Sequence, residues 1–304
     1  MITILGPTAS GKTTLVVKLA LEFDGEVISA DSRQVYRGMS IGTGKDLSEY
    51  IVEGKKVNYH LIDIVDPGCE YNLFEFRQDF LKAYAGIKSR GKIPFLCGGS
   101  GMYLESVLKN YQLNRWEPDN HFREALSKKS DTDLRELLFS LKTPHNTTDL
   151  LDRSRMIRAI QIGMAPAENK NIPAYPHPTD SLILGIYWER SALRERITQR
   201  LKARLEEGMI EEVNDLLKRG LTPGQIRFYG LEYRYVIDYL EKKMEYQEMF
   251  RLLNIAIHQF SKRQMTWFRK MERSGCKIHW IRGESSLEEK LRDAAMLINE
   301  KKIT

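Results

Sequence analysis

Gly6-Pro7-Thr8-Ala9-Ser10-Gly11-Lys12-Thr13 follows the apolar run Ile2-Thr3-Ile4-Leu5 and opens a segment, Lys12 to Phe23, that reads as a helix. The octapeptide fits Gly-x-x-x-x-Gly-Lys-[Ser/Thr], and a strand before it and a helix after it are the context that pattern needs. Its glycines let successive backbone N–H groups point at phosphate oxygens, and the helix beginning at Lys12 adds its positive end. Lys12 supplies charge, and Thr13 supplies a hydroxyl suited to Mg²⁺. The loop therefore binds phosphate groups; it does not say to what they are attached.

Outward from the loop, strand and helix alternate. Glu26 to Ser29 reads as a strand, Phe74 to Lys88 as a helix and Ile93 to Cys97 as a strand, an alternation that predicts a parallel sheet with helices on both faces. Around Tyr111 to Pro118 the pattern turns helical and polar, with segments at Asn120 to Lys129, Thr132 to Leu141 and Thr148 to Ile162. It breaks at Ala165-Pro166 and in the Pro-rich run Pro173 to Pro178. Strand character returns at Ser181 to Trp188. The prediction is an α/β chain: a P-loop NTPase-like parallel-sheet core from residues 1–112 and 181–304, with a helical insertion domain at 113–180. Two helices are expected after the return. In the first, Leu193, Ile197, Leu201 and Leu205 recur every four residues and predict one buried stripe, with Ser191 as N-cap and Gly208 as a break.

Composition narrows the class. At 304 residues, with 42% hydrophobic, 10% aromatic and 29% charged residues, the chain is globular and can bury a sizeable core. No apolar run approaches the roughly 18 residues of a membrane helix. Cys69, Cys97 and Cys276 lie far apart without a CxxC pair, which excludes a disulfide scaffold and a zinc ribbon. Met1 runs straight into the first strand with no room for a leader, so a cytoplasmic protein is expected, and a monomer. The net charge is +6. From His258 to Arg282 seven cations (Lys262, Arg263, Arg269, Lys270, Arg273, Lys277, Arg282) face one anion, Glu272, a surplus equal to that of the whole chain. Gln264, Thr266, Trp267 and Phe268 are interleaved with them, and aromatic, amide and guanidinium groups together suit base stacking and phosphate contact.

Two further elements fall at the carboxyl edge of the predicted sheet, where open α/β proteins place ligands. The second strand runs into Asp31-Ser32-Arg33-Gln34, whose carboxylate can hold Mg²⁺, accept a proton or cap a turn. The third runs into Gly98-Gly99-Ser100-Gly101, where a glycine turn permits close backbone approach.

Gly6 to Thr13, Asp31 to Thr43, His60 to Pro67, Gly98 to Tyr103 and Lys262-Arg263-Gln264-Met265-Thr266-Trp267-Phe268-Arg269 together resemble the tRNA dimethylallyltransferases, also called tRNA isopentenyltransferases. The likeness runs in order over nearly the whole chain and is weakest at about 113–180; the Lys-Arg-Gln-x-Thr-Trp-Phe-Arg element is its most specific part. The resemblance implies transfer of a dimethylallyl group from dimethylallyl diphosphate to the exocyclic amine of the adenine 3′ to a tRNA anticodon, with Mg²⁺ and without ATP consumption. It casts Asp31 as general base, Thr8 and Lys12 as ligands of the leaving diphosphate within the Gly6, Pro7, Thr8, Ala9, Ser10, Gly11, Lys12, Thr13 cradle, Thr13 as metal ligand, and Arg227 as a further diphosphate contact. It assigns the tRNA anticodon stem-loop to Asp31, Ser32, Arg33, Gln34, Ser100, Arg123, Arg155, Arg158, Lys262, Arg263, Gln264, Trp267 and Arg269. Arg155 and Arg158 are expected to share a helix face while Ile157 and Ile160 turn another way.

The chain departs from the family pattern in three places. It has Met39-Ser40-Ile41-Gly42-Thr43-Gly44-Lys45-Asp46 for Met-Asp-Ile-Gly-Thr-Ala-Lys-Pro, Phe228-Tyr229-Gly230-Leu231-Glu232-Tyr233-Arg234 around the usual Gly-Tyr-Lys/Arg-Glu/Gln, and Arg158-Ala159-Ile160-Gln161 for Arg-Ala-Leu-Glu. Three other readings use the same loop. An adenylate isopentenyltransferase acting on free adenine nucleotides has little use for the basic Lys262 to Arg282 stretch or a helical insertion. A phosphate-loop kinase of a small metabolite lacks a lid-arginine pattern here, and a non-catalytic RNA-binding module does not need a complete phosphate loop.

Overall fold

In the computed structural model, which describes residues 1–111, 113, 120–141, 150, 152–164, 175–178 and 180–301, Ile2–Leu5 (β1) is buried along its whole length. A strand covered on both faces has no solvent side for polar residues. Its one polar side chain, Thr3, shares a hydrogen bond with Ser181 at 2.8 Å. After β1 come Lys12–Glu22 (α1) and Gly25–Ser29 (β2), then a small hairpin of Ile51–Val52 (β3) and Lys55–Lys56 (β4), and Tyr59–His60 (β5). Leu73–Ser89 (α2), Ile93–Gly98 (β6) and Gly101–Leu108 (α3) complete the first part. α2 starts at a capping box between Asn72 and Glu75, which satisfies the backbone donors a helix start leaves unpaired.

The chain divides into two compact units, Met1–Tyr111 with Tyr175–Thr304, and Gln112–Ala174. The second unit holds Asn120–Ser127 (α4), Asp131–Leu141 (α5) and Arg153–Met164 (α6), packed on their own core of Leu126, Leu134, Leu138, Met156, Ile157 and Ile160. The Ala165-Pro166 break, residues 173–174 of the Pro-rich run and most of the loop before α6 lie outside the described residues.

Leu182–Tyr187 (β7) returns to the sheet. It is followed by Arg190–Glu206 (α7), Met209–Lys218 (α8), Pro223–Arg227 (α9), Leu231–Leu240 (α10), Tyr246–Arg273 (α11), Ile278–Arg282 (β8) and Leu287–Glu300 (α12). The six-stranded sheet has the order β5-β2-β6-β1-β7-β8, every pairing parallel. More than the two expected helices therefore follow the return. Gly208 and Gly220 sit at positive φ between them, and Thr222 with Gln225 caps α9, so breaks come every ten residues or so. The buried stripe of α7 is as expected. Its N-cap is Glu189, without a side-chain cap bond, and not Ser191; the Glu189 N–H donates instead to Glu284 at 2.6 Å, so Ser191 lies within the first turn.

Val35, Tyr36 and Met39, beyond β2, share one buried cluster with Ala9 of the phosphate loop and the stripes of α7, α8, α10 and α11. That cluster fixes the loop and the segment after β2 against one helical layer. Among the described residues no helix is long and apolar enough to cross a membrane.

Candidate active site

Gly11 ends the phosphate loop in the left-handed region, φ 82°, a conformation glycine takes without strain. The loop carbonyls are held by the loop's own lysine and by donors from elsewhere in this unit. Lys12 Nζ donates to Pro7 O at 2.7 Å, Arg196 Nε to Ala9 O at 3.0 Å, and Trp188 Nε1 to Ser10 O at 3.1 Å. Arg196 also lies over the Trp188 ring, 4.4 Å from its centroid. With those carbonyls engaged and the first-turn amides of α1 lacking intrahelical acceptors, the amides at the end of the loop are left for an anion. Arg200 donates to the Thr8 hydroxyl.

A cavity of about 390 Å³ opens on the loop, lined by Gly11, Lys12, Thr13, Asp46, Glu49, Arg196 and Arg200 among others. Burial pushes the Lys12 ammonium down to about 8; Arg200 adds to that and Asp31 opposes it. Burial likewise lowers Arg200, with Arg204 as the next cause. Lys12 and Arg200, both desolvated on one loop, with the exposed Arg196 bound to the same loop, are a site waiting for negative charge. Arg196 and Arg200 were not among the residues expected here. Arg227, which the resemblance brings to the diphosphate, gives its guanidinium to Asp238 at 2.9 Å and to Glu241.

Oxygen donors meet beside Thr13. Thr14 Oγ1 donates to Glu49 Oε2 at 3.1 Å, and Asp46 lines the same cavity. Mg²⁺ takes hard oxygen ligands, usually one or two from protein and the rest from phosphate and water. The donor set at Thr13 fits it. Among the described residues no group of three or more His, Cys, Asp or Glu is gathered to hold a metal by itself.

At the end of β2, Asp31 Oδ1 accepts the Arg33 N–H at 2.9 Å, the turn-capping arrangement open to such an aspartate, and its second carboxylate oxygen has no hydrogen-bond partner among the described residues. The Ser32 N–H donates to Ser100 Oγ at 3.1 Å, and Gln34 Nε2 to Gly44 O at 2.9 Å. The two strand-edge segments therefore meet, as expected. A Cβ on Gly99 would lie 2.4 Å from Gln264 Nε2, and one on Gly101 2.4 Å from the Trp267 ring. These glycines admit α11, so close approach of a helix accounts for the turn.

The segment from Tyr36 to Lys45 is clamped twice. Glu212 of α8 accepts the N–H groups of Ser40, Ile41 and Gly42 at 2.7–3.0 Å and the Tyr233 hydroxyl at 2.7 Å. The buried Lys45 ammonium bonds Tyr36 O and Asp63; burial pushes Lys45 down and Asp63 opposes it. Asp63 thus braces this segment, while Asp66 pairs with Arg37 at 2.8 Å.

Along α11, Ser261, Gln264, Phe268 and Met271 are buried, while Lys262, Arg263 and Arg269 are exposed. Gln264 and Trp267 are turned toward the loop and the glycine turn. In the second unit Arg123, Arg155 and Arg158 are exposed, and Ile157 and Ile160 face that unit's core.

Sheet, loop and cavity define a phosphate-loop α/β enzyme that takes a diphosphate or polyphosphate. The IPP transferase family model matches residues 34–271 and the isopentenyl transferase model residues 1–63. The chain belongs to the tRNA dimethylallyltransferase family and is a prenyltransferase. It is 49% identical over 304 residues to the tRNA dimethylallyltransferase 1 of Parabacteroides distasonis, covering 98% of this chain and 97% of that one. It is 52% identical over 295 residues to the tRNA dimethylallyltransferase 2 of a Bacteroides fragilis strain, covering 96% and 95%. The crystal structure of the Bacillus halodurans tRNA isopentenylpyrophosphate transferase superposes with a TM-score of 0.72 at 31% identity, covering 99% and 95%. A eukaryotic dimethylallyltransferase acting on tRNA shares the fold, with a TM-score of 0.78 at 24% identity over 99% of this chain and 78% of that one. These relatives support the tRNA-modifying reading over the free-nucleotide and kinase readings.

Proposed function

We propose that this enzyme transfers the dimethylallyl group of dimethylallyl diphosphate to the exocyclic amine of the adenine 3′ to the anticodon of tRNA. The observation that carries the reading is the convergence of Lys12, Arg196 and Arg200 on the phosphate loop, beside a strand edge that carries Asp31.

The diphosphate lies on the amides of Ser10 to Thr13 and among the three cations. The amine nitrogen attacks C1 of the dimethylallyl group, the C1–O bond breaks, and its electron pair leaves on the diphosphate. Donors already aimed at those oxygens stabilise the charge they gain. Asp31, through its free carboxylate oxygen, takes the proton that the amine loses. Thr13, with Glu49 and Asp46 nearby in the same cavity, would hold Mg²⁺, which would further neutralise the diphosphate. An adenine stacked in the anticodon loop cannot present its amine to a recessed carbon, so the base leaves the stack. The Ser32, Gln34 and Ser100 edge meets the base, and Arg33 meets the RNA beside it. Lys262, Arg263 and Arg269, and in the second unit Arg123, Arg155 and Arg158, hold the RNA backbone.

Labelled dimethylallyl diphosphate incubated with bulk tRNA or with AMP, with and without ATP, tests the reading. Label is expected in tRNA without ATP. Label in AMP alone supports the free-nucleotide reading, and phosphoryl transfer from ATP without a prenyl donor supports the kinase reading.

A further inference from the structure

Phe228 is a large aromatic side chain left 56% exposed, and the Arg33 guanidinium lies over its ring, 5.0 Å from the centroid. Phe228 is itself fixed from below. It meets Tyr229 edge-on at 5.8 Å, and Tyr229, which is buried, meets Tyr36 edge-on at 4.7 Å and accepts the Gly68 N–H. Among the described residues Arg33 has no carboxylate within ion-pair distance, although its own N–H is bound by Asp31 at 2.9 Å. A guanidinium set against an exposed ring, with no carboxylate partner among the described residues, offers a planar cation to a ligand. Such planes stack on unpaired nucleobases.

We propose that Phe228 and Arg33 form a stacking plate for the nucleobase next to the reacting adenine, with Phe228 holding the Arg33 plane in place. The inference rests on the proposed RNA acceptor and adds a specificity-determining residue to it. One residue, Ser32, separates Asp31 from Arg33, so their backbones lie at most about 7 Å apart. A base whose amine meets Asp31 therefore brings a neighbour of the same strand to the plate. An apolar prenyl chain would want a dry pocket, whereas this plate is wet and charged.

The test uses an anticodon stem-loop RNA with 2-aminopurine beside the target adenine, the intact enzyme, and the Phe228→Ala, Phe228→Trp, Arg33→Ala and doubly substituted variants. Binding to the wild type should quench the probe. Phe228→Ala should lose most of the quenching and raise KM for the RNA by about 10-fold, the order expected for one lost base–aromatic stack. Phe228→Trp should restore both. Dimethylallyl diphosphate affinity and Tm should stay at wild-type values, and the two alanine effects should be less than additive because each removes half of one plate. Unchanged quenching and KM in Phe228→Ala, additive effects of the two alanines, or an effect on the prenyl donor's affinity in place of the RNA's would each overturn the plate. Failure of the wild type to prenylate the stem-loop would instead overturn the proposed function.

Discussion

Gln264 accepts the backbone N–H of Thr8 at 2.8 Å across 256 positions of sequence, and its amide nitrogen donates to Gly99 O at 2.9 Å. One side chain of the long helix α11 thereby ties the phosphate loop to the glycine turn beside Asp31. Donor geometry at the diphosphate and the position of the base acceptor are coupled through a single amide. Gln264→Leu keeps the volume and leaves both backbone groups without a partner, at about 1–3 kcal/mol for each buried polar group left unpaired. Tm should fall by several degrees, and the affinity for inorganic pyrophosphate should fall with it. A Tm and an affinity equal to wild type would contradict the coupling.

Lys12 gives the pH dependence. Its folded-state value is lowered to about 8, so in the free enzyme the ammonium is charged below that pH and neutral above it. A bound diphosphate favours the charged form and raises the value. Affinity for pyrophosphate should therefore be full near pH 7 and weaken as pH rises through about 8, and binding near pH 8.5 should take up protons. Calorimetry in buffers of different ionisation enthalpy reads the uptake. Lys12→Arg should abolish the slope, since guanidinium stays charged throughout this range. A slope that survives in Lys12→Arg would assign the titration to another group.

The loop-bound arginines come from α7. Arg200→Ala and Arg196→Ala should each weaken pyrophosphate binding by about 10- to 100-fold, the value of a charge-assisted hydrogen bond. Arg227→Ala should act chiefly on stability, because it removes one of the two cations, with Lys243, that pair with Asp238 and Glu241. Pyrophosphate titrations with parallel melts compare the three. A larger affinity loss in Arg227→Ala than in Arg200→Ala would show that Arg227 moves onto the diphosphate when it binds.

The exposed cations of α11 predict salt dependence. If Lys262, Arg263 and Arg269 contact tRNA phosphates, removing each should reduce the log–log slope of affinity against salt by about 0.7–0.9. Titrations of tRNA at several salt concentrations, with melts, measure this. An unchanged slope with an unchanged Tm would make these residues a solvated helix face.

The sheet was legible because its parallel strands are apolar runs closed by glycine turns; Ile2–Leu5 and Ile93–Gly98 announce themselves by composition. β8 was not. Its Ile278–Arg282 mixes three apolar residues with His279 and Arg282 and reads as the end of a basic tail, because an edge strand needs less burial than a central one. Asp31 and the phosphate loop could be found because local spacing encodes them. Arg196 and Arg200 are placed by the docking of α7, whose apolar stripe is visible in the sequence; the four-residue spacing of Arg196, Arg200 and Arg204 on another face was the available signal for them. Gln264 looked like an RNA contact, yet its spacing from Ser261 and Phe268 puts it on the buried face of α11. That spacing was the available signal.

The central claim is that Asp31 removes the proton from the amine that attacks dimethylallyl diphosphate on this loop. Asp31→Asn keeps an oxygen for the Arg33 N–H and loses the base. The direct measurement is single-turnover transfer of labelled dimethylallyl groups to tRNA by wild type and Asp31→Asn, both saturated with donor and acceptor. A rate lower by about 10²- to 10⁴-fold, the usual worth of a positioned general base, with both affinities kept, is the expected result. A rate within threefold of wild type would contradict the claim.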